Sequence, residues 1–354
     1  MNKILLVLSC NLHWAPYYTR YENIMKNLSV PYDLIIWNRE GLDENTYGTK
    51  IEYNVYDKAN DGSWKKIFKF IGFSRFVKKQ IIKHRYEKIV FVGTYAGMPA
   101  FISGFLKKFY KKRYWIDLRD ITYEHLSLFY KCEEQAILNS YKTVVSSKGY
   151  TLYLPKFEYE FMHNIDPSME DIIKEYHKTK SDKIRISYIG NLGFWNSCKE
   201  MIDNLANDER FVMNFVGPNF ERIQEYCNKN NIENVNFHGR FERSETVKFY
   251  NETDIIFNIY GNDTINVKTA LSNKLYYSMR FGIPILVSPD TFMEKITHKY
   301  NIGFTFDGKT DFGDRLFEWY QSTDLLQSSF EQAWKDVEHE DKQAEDAYIK
   351  FIGG

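Results

Sequence analysis

The chain has 354 residues, 47 basic and 47 acidic side chains and therefore no net charge, and 17% of its residues are aromatic. That length accommodates two domains with cores of their own, the aromatic content excludes a disordered chain, and the charge balance excludes a uniformly polybasic or polyacidic protein. The balance is uneven along the chain: residues 1–166 hold 25 basic and 17 acidic side chains, the remainder 22 and 30, which suits a first domain that meets an anionic surface.

Taken in order, Lys3 to Ser9 is a continuous apolar run of the buried-strand type, followed by the polar and aromatic loop NLHWAPYYTR. Val7-Leu8-Ser9-Cys10 superficially resembles a lipoprotein cleavage site, but the apolar run before it, Ile4 to Leu8, is short against the roughly 7–15 residues of a signal-peptide core, so a first strand is the reading. A helix from about Tyr21 to Leu28 and a strand at Asp33 to Trp37 complete a first βαβ unit. Trp64 to Arg85 has helical spacing, Lys88 to Val92 is the next strand, Met98 to Phe109 a helix, and Tyr114 to Asp117 a strand running into Leu118-Arg119-Asp120. A helix from about Glu124 to Asn139 leads to the strand Lys142 to Ser146, and the charged segment after His163 loses strand character. Such alternation predicts a parallel sheet with helices on both faces.

The second half restarts the pattern. Strands are expected at Ile184 to Ile189, Phe211 to Val216, Val235 to His238, Asp254 to Ile259, Ile283 to Val287 and Ile302 to Phe306. Helices at Cys198 to Leu205, Phe220 to Asn230 and Glu245 to Glu252 separate the first four; the loop Tyr260 to Thr269 and the helix from Asn273 precede the fifth. Gly282 and Pro284 are the stop signals of that helix. The fold class expected is α/β, two doubly wound Rossmann-like domains facing a central cleft, with boundaries at 1–166, a linker at 167–182, a second domain at 183–328 and a final helix, 329–354, packing back on the first. Cys10, Cys132, Cys198 and Cys227 form no C-x-x-C pair, which predicts reduced thiols in a cytoplasmic protein, with neither a disulfide framework nor a zinc site. No stretch approaches the ~20 apolar residues of a membrane span.

In open α/β sheets ligands bind beyond the carboxyl ends of strands. In the second half these positions hold Gly190-Asn191-Leu192-Gly193, Gly217-Pro218, His238-Gly239-Arg240 and Asn258 to Lys274. Glycine turns let backbone N–H groups approach a ligand, and the helix beginning at Asn273 offers a partial positive charge that Lys274 augments, so a phosphate or pyrophosphate is the expected ligand. Solvated turns and a capped helix are the plain alternative. No GxGxxG follows the first strand, which disfavours a dinucleotide oxidoreductase.

The stretch Asn273-Lys274-Leu275-Tyr276, Met279, Gly282 and Pro284 resembles the donor-site segment of nucleotide-sugar glycosyltransferases of the GT-B fold, especially bacterial enzymes of the glycosyltransferase family 4 type that build surface polysaccharides. Y-I-G-N-L-G, F-V-G-P and N-F-H-G-R extend the resemblance over about 110 residues. It implies that His238, Gly239 and Arg240 hold the base, and that Gly190, Asn191, Gly193, Asn273 and Lys274 face the diphosphate. Gly217, Asn266, Lys268 and Tyr277 complete the expected donor set. The paired glutamates of that family are replaced by Thr269 and Tyr277, and Asp263, Asn266 or Lys268 is then expected to supply other contacts.

In the first half Asp117-Leu118-Arg119-Asp120 is similar to the D-x-R-D element near the reacting sugar of such enzymes. Asp120 and Arg119 are the catalytic candidates: the acid can accept a proton or bond a sugar hydroxyl, while the guanidinium can only orient or offset charge. An Arg–Asp ion pair closing the strand end is the competing reading for Arg119. His13, Trp14, Tyr17 and Arg20, in the loop after the first strand, are expected on the acceptor side, the aromatic rings being suited to sugar stacking. From Asn60 to Arg113 there are fourteen basic and two acidic residues interleaved with aromatic and aliphatic ones, a surface suited to anionic lipid. A solvated helix face is the alternative, and no nucleic-acid motif accompanies the charge.

The resemblance implies transfer of a sugar, with retention of configuration, from a nucleotide-diphosphate donor to a lipid-linked or growing surface-glycan acceptor at the inner face of the cell membrane, with no cofactor and no metal. A noncatalytic nucleotide-sugar or glycan-binding subunit and a nucleotide-sugar epimerase of the same architecture are the alternatives.

Overall fold

Apolar runs too short for helices and too continuous for surface strands become the central strands of two parallel sheets. The computed structural model describes residues 3–56, 63–93, 99–165, 169 and 183–353, the side chains of residues 63–66 and 243 excepted. The contacts divide the chain into two units, residues 1–164 with 339–354, and residues 165–338.

In the first unit, β1 (Ile4–Leu8), α1 (Tyr18–Asn27), β2 (Tyr32–Trp37), β3 (Thr49–Tyr53), α2 (Ser63–His84) and β4 (Lys88–Val92) are followed by α3 (Ser103–Phe109), β5 (Tyr114–Leu118), α4 (Ser127–Asn139), β6 (Lys142–Val145) and β7 (Tyr159–Phe161). All strand pairs are parallel and the order is β3-β2-β1-β4-β5-β6-β7. Every residue of β1, β2 and β5 is buried. Two strands escape the sequence reading: β3, half-buried at the sheet edge, and β7, three residues long. Lys50 and Glu52 dilute the apolar signal of β3 and pair with each other instead, Nζ to carboxylate 3.0 Å.

In the second unit the elements are β8 (Ile184–Ile189), α5 (Trp195–Leu205), β9 (Phe211–Val216), α6 (Glu221–Lys229), β10 (Val235–His238), α7 (Thr246–Asn251) and β11 (Ile255–Asn258). They continue with α8 (Ile265–Thr269), α9 (Asn273–Phe281), β12 (Ile285–Val287), α10 (Phe292–Tyr300), β13 (Gly303–Thr305), α11 (Phe312–Ser322) and α12 (Gln327–Gly353). The order is β10-β9-β8-β11-β12-β13, again parallel throughout. Alternate residues of β8 and β9 pack on opposite sides: Ile184, Ile186, Tyr188, Phe211, Met213 and Phe215 belong to one core, Ile189 and Val216 to the other. The first part of α12 buries Phe330, Ala333, Trp334 and Val337 in the second unit, and its last part buries Ala344, Tyr348, Phe351 and Ile352 in the core of the first. The expected linker 167–182 lies outside the described residues apart from Met169, as does the start expected at Met98 for the third helix.

Candidate functional site

The order of the second sheet reverses between β8 and β11, and at such a switch point the chains leave the sheet in opposite directions and open a crevice beyond the strand ends. Gly190 follows β8 with φ +133 and Gly217 follows β9 with φ +138. A methyl group on Gly217 would stand 2.3 Å from the Gly190 carbonyl oxygen, so these turns touch backbone to backbone and only glycine fits. Main-chain bonds tie the three ends together: Gly190 N donates to Val216 O at 2.8 Å and Gly217 N to His238 O at 2.9 Å.

From the other side of the switch point comes α9. Its cap is Ser272, one residue before the expected Asn273: the hydroxyl oxygen accepts from Lys274 N at 3.1 Å and donates to the Asn258 side chain, at the end of β11, at 2.6 Å. Gly282, φ +65, closes the helix in the left-handed conformation. Thus pinned, the helix carries Lys274 into the crevice. The side chain is 7% exposed, its Nζ donates to the Tyr260 hydroxyl at 2.8 Å, and it stands 4.0 Å and 5.1 Å from the ring centres of Tyr188 and Tyr260. A methyl on Gly190 would lie 3.8 Å from that Nζ.

Among the described residues no carboxylate comes within ion-pair distance, 4.0 Å, of Lys274. A buried ammonium without a carboxylate is costly, and aromatic faces offset only part of the cost. The ammonium and the glycine turn beside it form a surface chemically complementary to an anion.

Phe194 stacks on Tyr260 at 4.1 Å, and both line a cavity of about 190 Å³ with Asn258, Asn266, Ser272 and Ser288. These neutral polar groups suit hydroxyls. The neighbouring thiol, Cys198, is pushed up to about 12 by burial, against the pull of Lys274, and is inert packing. A larger cavity, about 350 Å³, lies against the sheet face beside β10 and includes His238, but its arginine, Arg185, is already held by Asp254 at 2.7 and 2.8 Å.

The other expected donor residues divide. Asn191 is exposed beside Lys274's turn, its side chain bonded by Asn219 at 2.6 Å, and Gly193 faces open space. His238, the last residue of β10, and Gly239 and Arg240 after it are exposed, the imidazole edge-on to Phe249 at 4.7 Å. Asn273 and Lys268 are exposed on the first turn of α9 and on α8. Tyr277 departs from expectation: its ring stacks on Tyr250 at 4.3 Å, with Phe281 beside both at 5.4 and 6.2 Å, in an apolar core. Thr269 is buried too, and its hydroxyl donates to Ile265 O at 2.6 Å in its own helix. The positions of the two missing acids have become packing and helix hydrogen bonding.

In the first unit the strand ends carry a different chemistry. Arg119 is 6% exposed and locked to the fully buried Asp117, with both nitrogen–oxygen distances 2.7 Å. Tyr21 donates to that carboxylate at 2.8 Å, Arg119 donates to Met162 O at 3.1 Å, and its guanidinium lies 4.6 Å from the Tyr17 ring centre. The alternate residues of a strand end share a face, so this pair closes β5 and the Arg119 guanidinium is already engaged by the strand's own acid. Asp120, the next residue, is exposed.

Arg20, expected at the acceptor, is paired with Asp341 at 2.9 Å and Glu345 at 3.5 Å on α12, so its charge holds the terminal helix. His13 stands between Glu40, 3.4 Å, and Glu44, 3.3 Å, and Trp14 is 65% exposed with its indole N–H on Glu40 at 2.6 Å. Glu44 is the residue the sequence reading missed. Burial opposes its charge, but bonds from Leu12 N, Asn11 and His13 together hold its carboxyl below the ordinary value and fix the loop that presents Trp14. Nothing near position 44 in the sequence marks it as the partner of a loop thirty residues earlier. Among the described residues no group of three or more His, Cys, Asp or Glu could hold a metal ion, and no helix is long and apolar enough to cross a membrane.

No protein-family model matches the chain, and no curated protein matches it in sequence. Solved structures match over its full length at low identity. A sucrose-phosphate synthase from Thermosynechococcus elongatus is 10% identical, with a TM-score of 0.73 over 99% of this chain and 100% of its own. Anabaena HepE in complex with UDP is 12% identical, with 0.65 over 98% and 100%. WaaG, a glycosyltransferase involved in lipopolysaccharide biosynthesis, is 11% identical, with 0.60 over 99% of both chains. Two parallel-sheet α/β units in one chain, matched end to end, give this protein the fold of the GT-B glycosyltransferases.

Proposed function

We propose that the chain is a glycosyltransferase that takes a sugar from a nucleotide-diphosphate donor, with retention of configuration, and passes it to a lipid-linked or growing surface-glycan acceptor at the cytoplasmic face of the membrane. The observation that carries the reading is Lys274, a buried ammonium at the switch point of the second sheet with no carboxylate partner among the described residues. Cleaving a sugar–diphosphate bond places negative charge on the departing oxygen, and a fixed cation with backbone N–H groups stabilises that charge where it develops. Lys274 and the Gly190 turn take this role, and exposed Arg240 adds charge toward the nucleotide. The neutral cavity of Asn258, Asn266 and Ser272 receives donor hydroxyls in place of the acid pair. Asp120 is the exposed acid for the acceptor side. No cofactor or metal is required by this assignment.

A second reading, a nucleotide-sugar-binding subunit without turnover, draws support from the fate of Thr269 and Tyr277, since neither offers the charge-assisted bonds of a carboxylate. A thermal-shift screen of the protein against UDP, GDP, dTDP and CMP, followed by a donor-hydrolysis assay with the matching nucleotide sugar, tests both. Stabilisation by one nucleotide with release of its diphosphate supports the transferase. Stabilisation without hydrolysis or transfer moves the assignment to the binding subunit, and no stabilisation by any of them overturns the donor site.

A further inference from the structure

The cavity of about 190 Å³ next to Lys274 has room for a sugar ring, and its wall is unusual for a sugar site. It adjoins Lys274 through two residues: Tyr260, whose hydroxyl accepts from Nζ at 2.8 Å, and Ser272, the cap of α9. None of its lining side chains is charged, and Phe194, Val267, Ala270 and Met293 bring only hydrocarbon to it. Phe194 is held as a flat wall by its stack on Tyr260, with the ring planes 14° apart.

Four of the polar side chains in the wall already bond within the protein. Ser272 Oγ donates to Asn258 Oδ1 at 2.6 Å. Ser288 Oγ accepts from Tyr260 N at 3.0 Å and Gly261 N at 2.8 Å, while Thr291 Oγ1 donates to Ser288 O at 2.8 Å and accepts from Glu294 N at 3.1 Å. Nor do the positions of the two missing acids supply acceptors: Thr269 donates to Ile265 O, and the Tyr277 ring is stacked on Tyr250. A hydroxyl buried against hydrocarbon without a partner loses its bonds to water, whereas a methyl at the same place gains contact and loses none. The wall therefore offers bonds to a few hydroxyls and an apolar seat where a fully hydroxylated hexose would present another.

We propose that the donor sugar carries a methyl group, as a 6-deoxy carbon or within an N-acetyl substituent, and that Phe194, Val267, Ala270 and Met293 seat it. The proposal rests on the reading of Lys274 as the donor-diphosphate site and names the class of sugar that site takes. One methyl or methylene in an apolar pocket is worth ~10–200-fold in discrimination, which sets the size of the preference.

The test uses the full chain and the nucleotide diphosphate found in the thermal-shift screen, attached in turn to glucose, galactose and mannose, each as the plain, the 6-deoxy and the 2-acetamido sugar. Titration calorimetry should give a methyl-bearing member of one set a Kd ~10–200-fold below that of its plain counterpart, and which member it is tells the 6-deoxy from the N-acetyl form. Val267→Thr, which replaces a methyl by a hydroxyl of similar size, should reduce that preference at least severalfold, with the shift given by the free nucleotide reporting that the Lys274 site is intact. Equal or tighter binding of every plain sugar overturns the methyl seat and leaves the donor site standing. An undiminished preference in Val267→Thr removes Val267 from the seat, and the native comparison decides the proposal even if that variant fails to fold. No stabilisation by any nucleotide overturns the donor site and the proposal with it.

Discussion

Replacing Lys274 with methionine removes the ammonium and keeps an unbranched stem. In the ligand-free protein the change deletes the 2.8 Å bond to Tyr260 and the ring contact at 4.0 Å from Tyr188. Those interactions are worth about 1 kcal/mol each, and the change also removes the cost of a buried ammonium without a carboxylate, which is of the same size or larger. The ligand-free melting temperature should therefore hold or rise. With a diphosphate bound, the variant lacks a charge-assisted hydrogen bond of about 1.5–3 kcal/mol, or ~10–150-fold in Kd. At a nucleotide concentration of about 100 Kd the native protein gains ~2.7 kcal/mol, which for a unit of ~150–250 residues is a shift of about 5–11 °C. If Kd rises ~100-fold, the same concentration yields about 0.4 kcal/mol, a shift of ~1–2 °C. Scanning fluorimetry with and without the nucleotide identified in the screen, backed by titration calorimetry, reads both numbers. An undiminished shift in the variant would refute the placement of the diphosphate at Lys274, and a steep fall in the ligand-free melting temperature would show that the ammonium holds the fold.

Asp120→Asn should leave the nucleotide-induced thermal shift intact and lower transfer by ~10²–10⁴-fold, measured as sugar incorporated into acceptor; undiminished transfer would remove Asp120 from the reaction. Gly217→Ala places a methyl 2.3 Å from Gly190 O at a φ of +138, and should cost more than about 3 kcal/mol in chemical denaturation, with loss of nucleotide binding; a stable, binding variant would contradict the packed turns. Glu133, buried on α4, has its carboxyl raised to about 8 from 4.5, mainly by burial and then by the charge of Glu124. The unfolded chain loses this proton near 4.5 and the folded chain keeps it to about 8, so this group lowers stability progressively as pH rises through that window and by a constant amount above it. Glu133→Gln should remove that slope, its melting temperature gaining on the native protein from pH 5 to 8; parallel profiles would show that the carboxyl ionises normally in the fold.

Much of this molecule is written locally. The runs Ile4–Leu8, Tyr114–Leu118 and Ile184–Ile189 are strands because their apolar residues are contiguous and short, and α9 ends where Gly282 takes the left-handed conformation and Pro284, two residues on, cannot continue a helix. Glycines after β8 and β9, and Lys274 in the first turn of α9, mark the proposed anion site without reference to distant residues. The Asp117–Arg119 pair was legible as well, since residues two apart on a strand share a face.

Other assignments depended on residues that no local pattern connects. Arg20 has the composition of an acceptor-loop cation, yet its partners are Asp341 and Glu345 in the last helix. Tyr277 occupies a position suggestive of the donor, and Tyr250 draws it into an aromatic stack. Glu44 reaches back to organise the His13 loop through three backbone and side-chain donors. The sequence by itself determined the strand and helix alternation, the turns and the kinds of groups at the strand ends, because backbone propensity and side-chain period act over a few residues. Only the tertiary structure decided which of those groups are already paired and which remain for a ligand, because burial and ion pairing join residues that the chain holds far apart.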